Sequence, residues 1–148
     1  MSRNRIADLR LRGSTSPLPV RVYWPGQQAS RPVPVLVFCR AGAGAGPTTE
    51  ETCRSLSEDP GLLVLAVSCL TGAQDGTAVL EWAAEHAAEL GADPGRLLVA
   101  GQGAGGAVAA TVAWQARAAG WPAVLLATGQ SDADLCEAVR RSLSAGER

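Results

Sequence analysis

The chain of 148 residues has the length of one domain, and its 13 lysine and arginine residues nearly balance its 14 aspartate and glutamate residues, for a net charge of −1. A charge so close to zero argues against a nucleic-acid-binding protein and against a protein held at a membrane by a basic patch. The apolar share of 47% is typical of globular chains, so we expect residues 1–148 to form a single domain with its own core.

The N-terminus and the cysteines predict a cytoplasmic protein. The first twelve residues are charged throughout and contain no apolar stretch, so no signal peptide is expected. The longest uncharged run, residues 97–116, contains four glycines and two glutamines, which argues against a membrane helix. The four cysteines lack the spacing of metal ligands, so we expect free thiols, no metal and no cofactor.

Six segments have the pattern of β-strands. The first two, Ile6–Arg12 and Val20–Trp24, alternate apolar and polar residues around the turn sequence GSTSPLP, which predicts an antiparallel pair. The other four are short, continuous apolar runs, typical of parallel strands that are covered on both faces. These four runs are Val35–Cys39, Leu62–Val67, Leu97–Ala100 and Ala123–Ala127.

Helical patterns with recognisable ends separate these runs. Thr48 and Glu51 form a capping-box pattern after Pro47. The alternation of strands and helices predicts an α/β fold, with a mostly parallel sheet of about six strands between two helical layers. In such sheets, ligands bind beyond the carboxyl ends of the strands. The three later helices are predicted over Ala78–Leu90, which Gly91 ends, Ala104–Ala119, which Gly120 ends, and Asp132–Leu143, which Ser131 caps.

Two glycine-rich turns follow predicted strands at that edge, over residues 40–46 and 101–106. In the second turn, Gly101, Gly103 and Gly106 satisfy G-x-G-x-x-G between a strand and a helix, so an NAD-binding half-domain is one alternative. The fingerprint normally follows the first strand of its unit, however, and here it follows the fifth. The acidic residue expected about 20 residues later is also missing at the end of strand six.

From about Leu18 to Ala127 the chain resembles the hormone-sensitive-lipase-like branch of the α/β-hydrolases, which includes bacterial esterases. The resemblance is carried by LPVRVYWP, by PVLVFCRAGAG and by VLEWAAEHAAELGADPGRLLVAGQGAGG, in which Gly91–Arg96 is particularly specific. It implies the N-terminal half of an α/β-hydrolase fold, without a cap domain. The G-x-G-x-x-G match then follows from a glycine at the family's serine position, which makes this the stronger interpretation.

The resemblance also implies that the family's chemistry is missing. A serine hydrolase needs a nucleophile, a histidine base and an orienting acid, but Gly103 stands at the nucleophile position. The family's acid and histidine follow later strands, and the only histidine here, His86, falls within a predicted helix. We therefore expect a pseudoenzyme rather than a triad hydrolase.

A cradle of hydrogen-bond donors can survive without the triad. Arg40 takes the place of the histidine in the family's His-Gly-Gly-Gly turn, and Ala41 and Gly42 follow it. A backbone N–H of this turn and that of Ala104 would form the oxyanion hole, and the helix N-terminus and Arg40 would favour an anion there. Such a cradle would bind a small molecule or promote a cyclisation or rearrangement, for instance in specialised metabolism. The alternative is a scaffold or interaction subunit without chemistry.

Four further side chains are candidates for the same edge. Cys39 and Cys69 end strands three and four, and the guanidinium of Arg40 would favour a nucleophilic thiolate at Cys39. A free cysteine is more often a small buried apolar residue. Asp132 and Asp134 follow strand six, where some members of the superfamily carry the acid, but capping of the last helix is the simpler explanation.

A sheet that stops at strand six has an apolar edge strand, which proteins rarely leave uncovered. We therefore expect a homodimer through the strand-six edges or the adjoining helices; a different partner chain is the less favoured alternative. The expected interface residues are Trp114, Trp121 and the apolar face of the last predicted helix, and packing of both tryptophans in the core of one chain is an equal alternative.

Overall fold

The computed structural model describes residues 5–12, 17–25, 32–40, 47–58, 61–68, 73–102, 104–120, 124–129, 135 and 137–142. The six strands are β1 (Arg5–Arg12), β2 (Pro17–Trp24), β3 (Val33–Arg40), β4 (Leu63–Ser68), β5 (Ala92–Gln102) and β6 (Val124–Gly129). The helices are α1 (Pro47–Glu58), α2 (Ala73–His86), which a 3₁₀ turn continues over Ala87–Leu90, and α3 (Ala104–Ala118). Residues 135 and 137–142 are also helical, and we call them the last helical segment.

All six strands belong to one sheet, in the order β1-β2-β4-β3-β5-β6. β2 pairs antiparallel with β1 and with β4, whereas β3 pairs parallel with β4 and β5, and β5 pairs parallel with β6. This arrangement confirms the predicted antiparallel pair and the predicted parallel strands. It also brings the carboxyl ends of β3 to β6 to one edge of the sheet, where the candidate site is expected.

The central strands are apolar on both faces because helices cover both faces. Alternate residues of β3, such as Val35 and Val37, join an apolar cluster with α2 and α3. The intervening Leu36 and Phe38 join a second cluster with α1 and the last helical segment. Burial of each large apolar side chain contributes about 1.5–3 kcal/mol. The result is the predicted three-layer sandwich. No helix within the described ranges is both long and apolar enough to cross a membrane.

The starts of α1 and α2 differ from the predicted ones, whereas α3 begins at Ala104 as predicted. α1 begins at Pro47, so Thr48 lies inside the first turn and its predicted capping position is wrong. Proline suits the first helical position, because the N–H that it lacks would have no partner there. α2 begins at Ala73, five residues before the predicted start, in a stretch that has no apolar periodicity. At its other end, Gly91 has a φ of 82° and ends the helix as predicted.

β5 is longer than the apolar run that predicted it. Val33 of β3 pairs with Ala92, whereas Val35 pairs with Leu97, so the extra residues of β5 form an irregularity in the ladder. Within it, the amide of Gly95 donates a hydrogen bond of 2.9 Å to Oδ1 of Asp93. The specific stretch Gly91–Arg96 therefore leads the chain from α2 into the centre of the sheet.

Candidate functional site

The candidate site lies where the carboxyl ends of β3, β4 and β5 meet. Cys39 of β3 pairs with Gly101 of β5, and Arg40 pairs with Ser68 of β4. One residue, Gly103, separates the end of β5 at Gln102 from the start of α3 at Ala104. The sheet thus brings the strand ends that precede the two glycine-rich turns to neighbouring positions.

We call residues 101–106 the elbow. Gly101 is buried, and a Cβ built on it would overlap the carbonyl group of Gly105 and lie 2.7 Å from the amide nitrogen of Gly106. The first turn of α3 therefore packs directly against the end of β5, with no room for a side chain between the two backbones. This close approach explains the glycine at position 101.

One predicted donor of the cradle, the N–H of Ala104, belongs to the first turn of α3. α3 has 15 residues, and the backbone N–H groups of its first turn have no partner within the helix. They carry a partial positive charge of about half an elementary charge, which favours an anionic oxygen. The N–H of Ala104 is the first of these groups. Gly103, Ala41 and Gly42 lie outside the described residues, so the other half of the cradle stays a prediction.

Arg40 brings a positive charge to the same edge. Its Nη2 donates a hydrogen bond of 2.6 Å to Oγ of Ser68. Its Nε and Nη1 are enclosed and, within the described part of the chain, have no hydrogen-bond partner. A buried donor left unsatisfied costs about 1–3 kcal/mol, and more when it is charged. The Arg40–Ser68 pair is therefore an incompletely satisfied cationic group at the edge where ligands are expected.

Cys39 and Arg40 lie on opposite faces of the sheet. Cys39 is 0% exposed and belongs to the cluster beneath α2 and α3, whereas Arg40 follows Leu36 and Phe38 on the other face. The guanidinium is therefore directed away from the thiol that it was expected to activate. A nucleophilic role for Cys39 would require movement of α2 and α3. The other candidate thiol, Cys69, lies outside the described residues.

His86 lies far from the elbow. α2 starts beyond the carboxyl end of β4 and runs back towards the start of β5, and His86 is its last residue. Nδ1 of His86 is 3.4 Å from Oε2 of Glu89, its ring centroid is 4.8 Å from that of Trp82, and its side chain is 37% exposed. These contacts agree with the predicted, partly exposed helical position. They place the imidazole at the wrong edge of the sheet for catalysis.

Three of the remaining candidates, Asp132, Asp134 and Trp121, lie outside the described residues. Within the described ranges, no three His, Cys, Asp or Glu side chains are grouped so that they could hold a metal ion. The sequence analysis missed Ser68, the hydrogen-bond partner of Arg40. The only indication of it in the sequence is its position as a polar residue at the end of the apolar run LLVLAVS.

Comparisons of the sequence with known proteins point to one family. Residues 43–132, more than half of the chain, match a family described by the alpha/beta hydrolase fold. The chain is 36% identical to the esterase LipI of Mycobacterium tuberculosis, in a match that covers 82% of this chain and 42% of LipI. It is also 36% identical to the carboxylesterase NlhH of that species, over 71% of this chain and 36% of the relative.

Solved structures give the same result. The thermophilic carboxylesterase EstE1, cloned from a metagenomic library, matches with a TM-score of 0.76 and 29% identity, over 86% of this chain and 47% of EstE1. A hyperthermophilic esterase from the archaeon Pyrobaculum calidifontis matches with a TM-score of 0.70 and 30% identity, over 81% of this chain and 42% of that one.

The chain spans about two fifths of the length of the curated relatives that it matches. The region that matches the family, residues 43–132, includes the elbow together with β5 and β6. The predicted resemblance to the hormone-sensitive-lipase-like branch is confirmed, and the chain belongs to the α/β-hydrolase family.

Proposed function

We propose that this chain is a non-hydrolytic member of the α/β-hydrolase family that binds a small molecule at the carboxyl edge of its sheet. The observation that supports this most is the elbow, in which the tight contact of Gly101 with the first turn of α3 is kept while Gly103 stands at the nucleophile position. A glycine has no oxygen or sulfur with which to attack an ester. Its relatives are esterases, so binding without acyl transfer is the simplest function for this geometry.

The chemistry of the site follows from its donors. Backbone N–H groups at the start of α3 and in the turn after β3 would hold a carbonyl or carboxylate oxygen of the ligand. A preorganised donor of this kind lowers the energy of a developing oxyanion by about 2.7–4 kcal/mol. A site that stabilises an oxyanion without forming an acyl-enzyme suits a cyclisation or a rearrangement through an enolate.

Binding and hydrolysis can be tested on the purified chain. We expect p-nitrophenyl acetate to be hydrolysed no faster by the wild type than by Gly103→Trp. We also expect a thermal-shift screen of small carboxylates and esters to find ligands of the wild type that Gly103→Trp no longer binds, because the indole would fill the cradle. Ala118→Trp, at the exposed end of α3, is the matched control and should bind as the wild type does.

Two results would contradict this proposal. Ester turnover that Cys39→Ala or Gly103→Trp abolishes would show that the chain is a hydrolase after all. Ligands that bind Gly103→Trp as tightly as they bind the wild type would place the binding site elsewhere. Circular dichroism of each variant, together with the smaller substitution Gly103→Leu, separates loss of the site from loss of the fold.

A second candidate function, an interaction subunit that forms a homodimer, is favoured by α3 and β6. Trp114 of α3 is 70% exposed, so its alternative placement in the core is wrong. Within the described residues, β6 is an end strand of the sheet and pairs with β5 alone. We propose that a second copy of the chain covers this side of the molecule. Light scattering at micromolar concentration should give twice the monomer mass, and Trp114→Ala should reduce it; a monomeric wild type would exclude the dimer.

A further inference from the structure

We infer that the outer edge of β6 pairs antiparallel with the same strand of a second copy of the chain, so that the two sheets join into one continuous sheet. The inference rests on the homodimer proposed above and deepens it, because it names the backbone groups and the helix that meet. It concerns the partner of the chain and leaves the ligand of the carboxyl edge aside.

The two end strands of the sheet differ in charge. Within the described residues, β1 and β6 are these end strands. Four of the eight residues of β1 are charged, and the exposed side chains of Asp8 and Arg10 disfavour pairing with a further strand there. The sequence of β6, VLLATG, contains no charged residue and no proline. β6 therefore lacks both the charges and the proline with which proteins commonly block pairing at a strand edge.

The outer backbone groups of β6 suit a copy of the same strand. The N–H and C=O groups of alternate residues in a strand point to the same side, so half of the six residues of β6 direct these groups away from β5. Two antiparallel copies centred near Leu126 and Ala127 would bring these groups opposite one another and exchange about six hydrogen bonds. Antiparallel pairing of identical strands also has the two-fold symmetry that is commonest in homodimers.

The helix α3 lies beside this edge, since it contacts both β5 and β6. With strands about 4.8 Å apart, pairing of the two β6 strands would place the axes of the two α3 helices about 10–14 Å apart, on one face of the joined sheet. The axes of directly packed helices are about 8–10 Å apart. Two α3 surfaces made only of small residues would therefore leave a gap, which a large side chain is needed to fill.

Trp114 supplies that side chain. Val112 and Ala116 mark the side of α3 that is buried against the sheet, and Gln115 accepts a hydrogen bond of 3.2 Å from the hydroxyl group of Thr77 in α2. Trp114 is about 100° around the helix from Gln115, on the side away from α2, and it is 70% exposed. A second copy of the chain carries both a strand and a helix, so it would cover the β6 edge and the indole together. An unattached peptide strand would cover the edge alone.

The test is hydrogen exchange followed by NMR, on the purified chain at concentrations above and below the dissociation constant that light scattering gives. We expect the outward amides of β6, which are those of every second residue, to exchange at least tenfold more slowly in the dimer than in the monomer. The amides of β1 should exchange at the same rate in both states, and they serve as the internal control.

Substitutions at Trp114 test the part that α3 plays. Trp114→Glu would bring two like charges together across the two-fold axis, so the dissociation constant should rise at least tenfold. Trp114→Phe keeps a large ring and should raise it less. Ala88→Glu adds the same charge at an exposed position of the 3₁₀ turn that follows α2, and it should leave the dissociation constant unchanged. Circular dichroism of each variant separates loss of the dimer from loss of the fold.

Each remaining outcome has a definite meaning. A dimer in which the outward β6 amides exchange as fast as they do in the monomer overturns the strand pairing and leaves the homodimer standing. A chain that stays monomeric at every concentration overturns both. Slow exchange of these amides in such a monomer would mean that another segment of the chain covers the edge.

Discussion

The elbow and the Arg40–Ser68 pair lie at the same edge of one sheet, yet they are held by different forces. The elbow is a contact between two backbones, in which Gly101 leaves room for the first turn of α3. The Arg40–Ser68 pair is a contact between two side chains at the end of a ladder. A backbone contact tolerates almost no substitution, whereas a side chain at a strand end can change its chemistry without moving the strand. We therefore expect substitutions to be tolerated less at Gly101 than at the Arg40–Ser68 pair.

The largest effect is expected at the elbow. In Gly101→Ala the new Cβ would overlap the backbone of Gly105, and backbone groups cannot move aside as a flexible side chain can. We expect the free energy of unfolding to fall by about 3 kcal/mol, at the upper end of overpacking effects, and chemical denaturation would measure it. Gly95→Ala is the matched control, because its Cβ meets only the side-chain oxygen of Asp93, at 3.3 Å. Equal losses in the two variants would refute the close contact.

At the Arg40–Ser68 pair, the change in the free energy of unfolding should have the opposite sign. Arg40→Met removes a charged group whose Nε and Nη1 lack partners in the described structure, so the free energy of unfolding should rise by about 1 kcal/mol. Denaturation of the unliganded wild type and variant in parallel would measure this. Ser68→Ala should lower stability slightly, since it takes away the one partner that Arg40 has there. A destabilised Arg40→Met would remove the distinction between the two regions.

Substitution of serine for Gly103 should change neither the stability of the chain nor its rate of ester hydrolysis. Gly103→Ser restores the hydroxyl group that the family uses, but the only histidine of the chain, His86, is the last residue of α2, at the edge of the sheet opposite the elbow. Without a base to accept its proton, the serine hydroxyl is a poor nucleophile. Hydrolysis of p-nitrophenyl acetate should therefore stay at the wild-type background. A burst of p-nitrophenolate from this variant would reveal a base within reach.

Only a slight effect on stability is expected in the β1–β2 hairpin, remote from both regions. Nε of Arg21 donates a hydrogen bond of 2.8 Å to Oδ1 of Asp8, which lowers the pKa of Asp8 below its usual value. Since the folded-state pKa is the lower one, this pair stabilises the fold above about pH 4 and stops doing so as the pH falls through the folded pKa. The pair is exposed, so Asp8→Asn should remove only a slight acid-dependent decrease in Tm. An unchanged pH dependence of Tm in Asp8→Asn would show that the pair contributes nothing.

Most of the fold was predictable because its signals are local. Continuous apolar runs identified β3, β4, β5 and β6, and the positive φ of Gly91 and Gly120 confirms the two glycines that end helices. The errors are at helix and strand starts, where polar and small residues carry little periodicity. α2 thus began earlier than predicted, and β5 took in the irregular stretch before its apolar run.

The site was predictable only in part. The two glycine-rich turns and Arg40 could be identified from the residues that follow apolar runs, together with the resemblance. Ser68 could not, because it is 28 residues away from Arg40 and becomes its neighbour only through the strand order. The exposure of Trp114 was likewise open, since the helical pattern of α3, which consists mostly of small residues, does not show which of its faces meets the sheet.

The sequence by itself determined most of the strands and helices, the family and the glycine at position 103, because each of these depends on residue type and on spacing along the chain. Only the tertiary structure decided what each side chain at the carboxyl edge faces. It directed Arg40 towards Ser68, enclosed Cys39 beneath α2 and α3, and placed His86 at the far edge of the sheet. Strand order and the alternation of faces set these contacts, and both arise from the packing of distant segments, which no local pattern records.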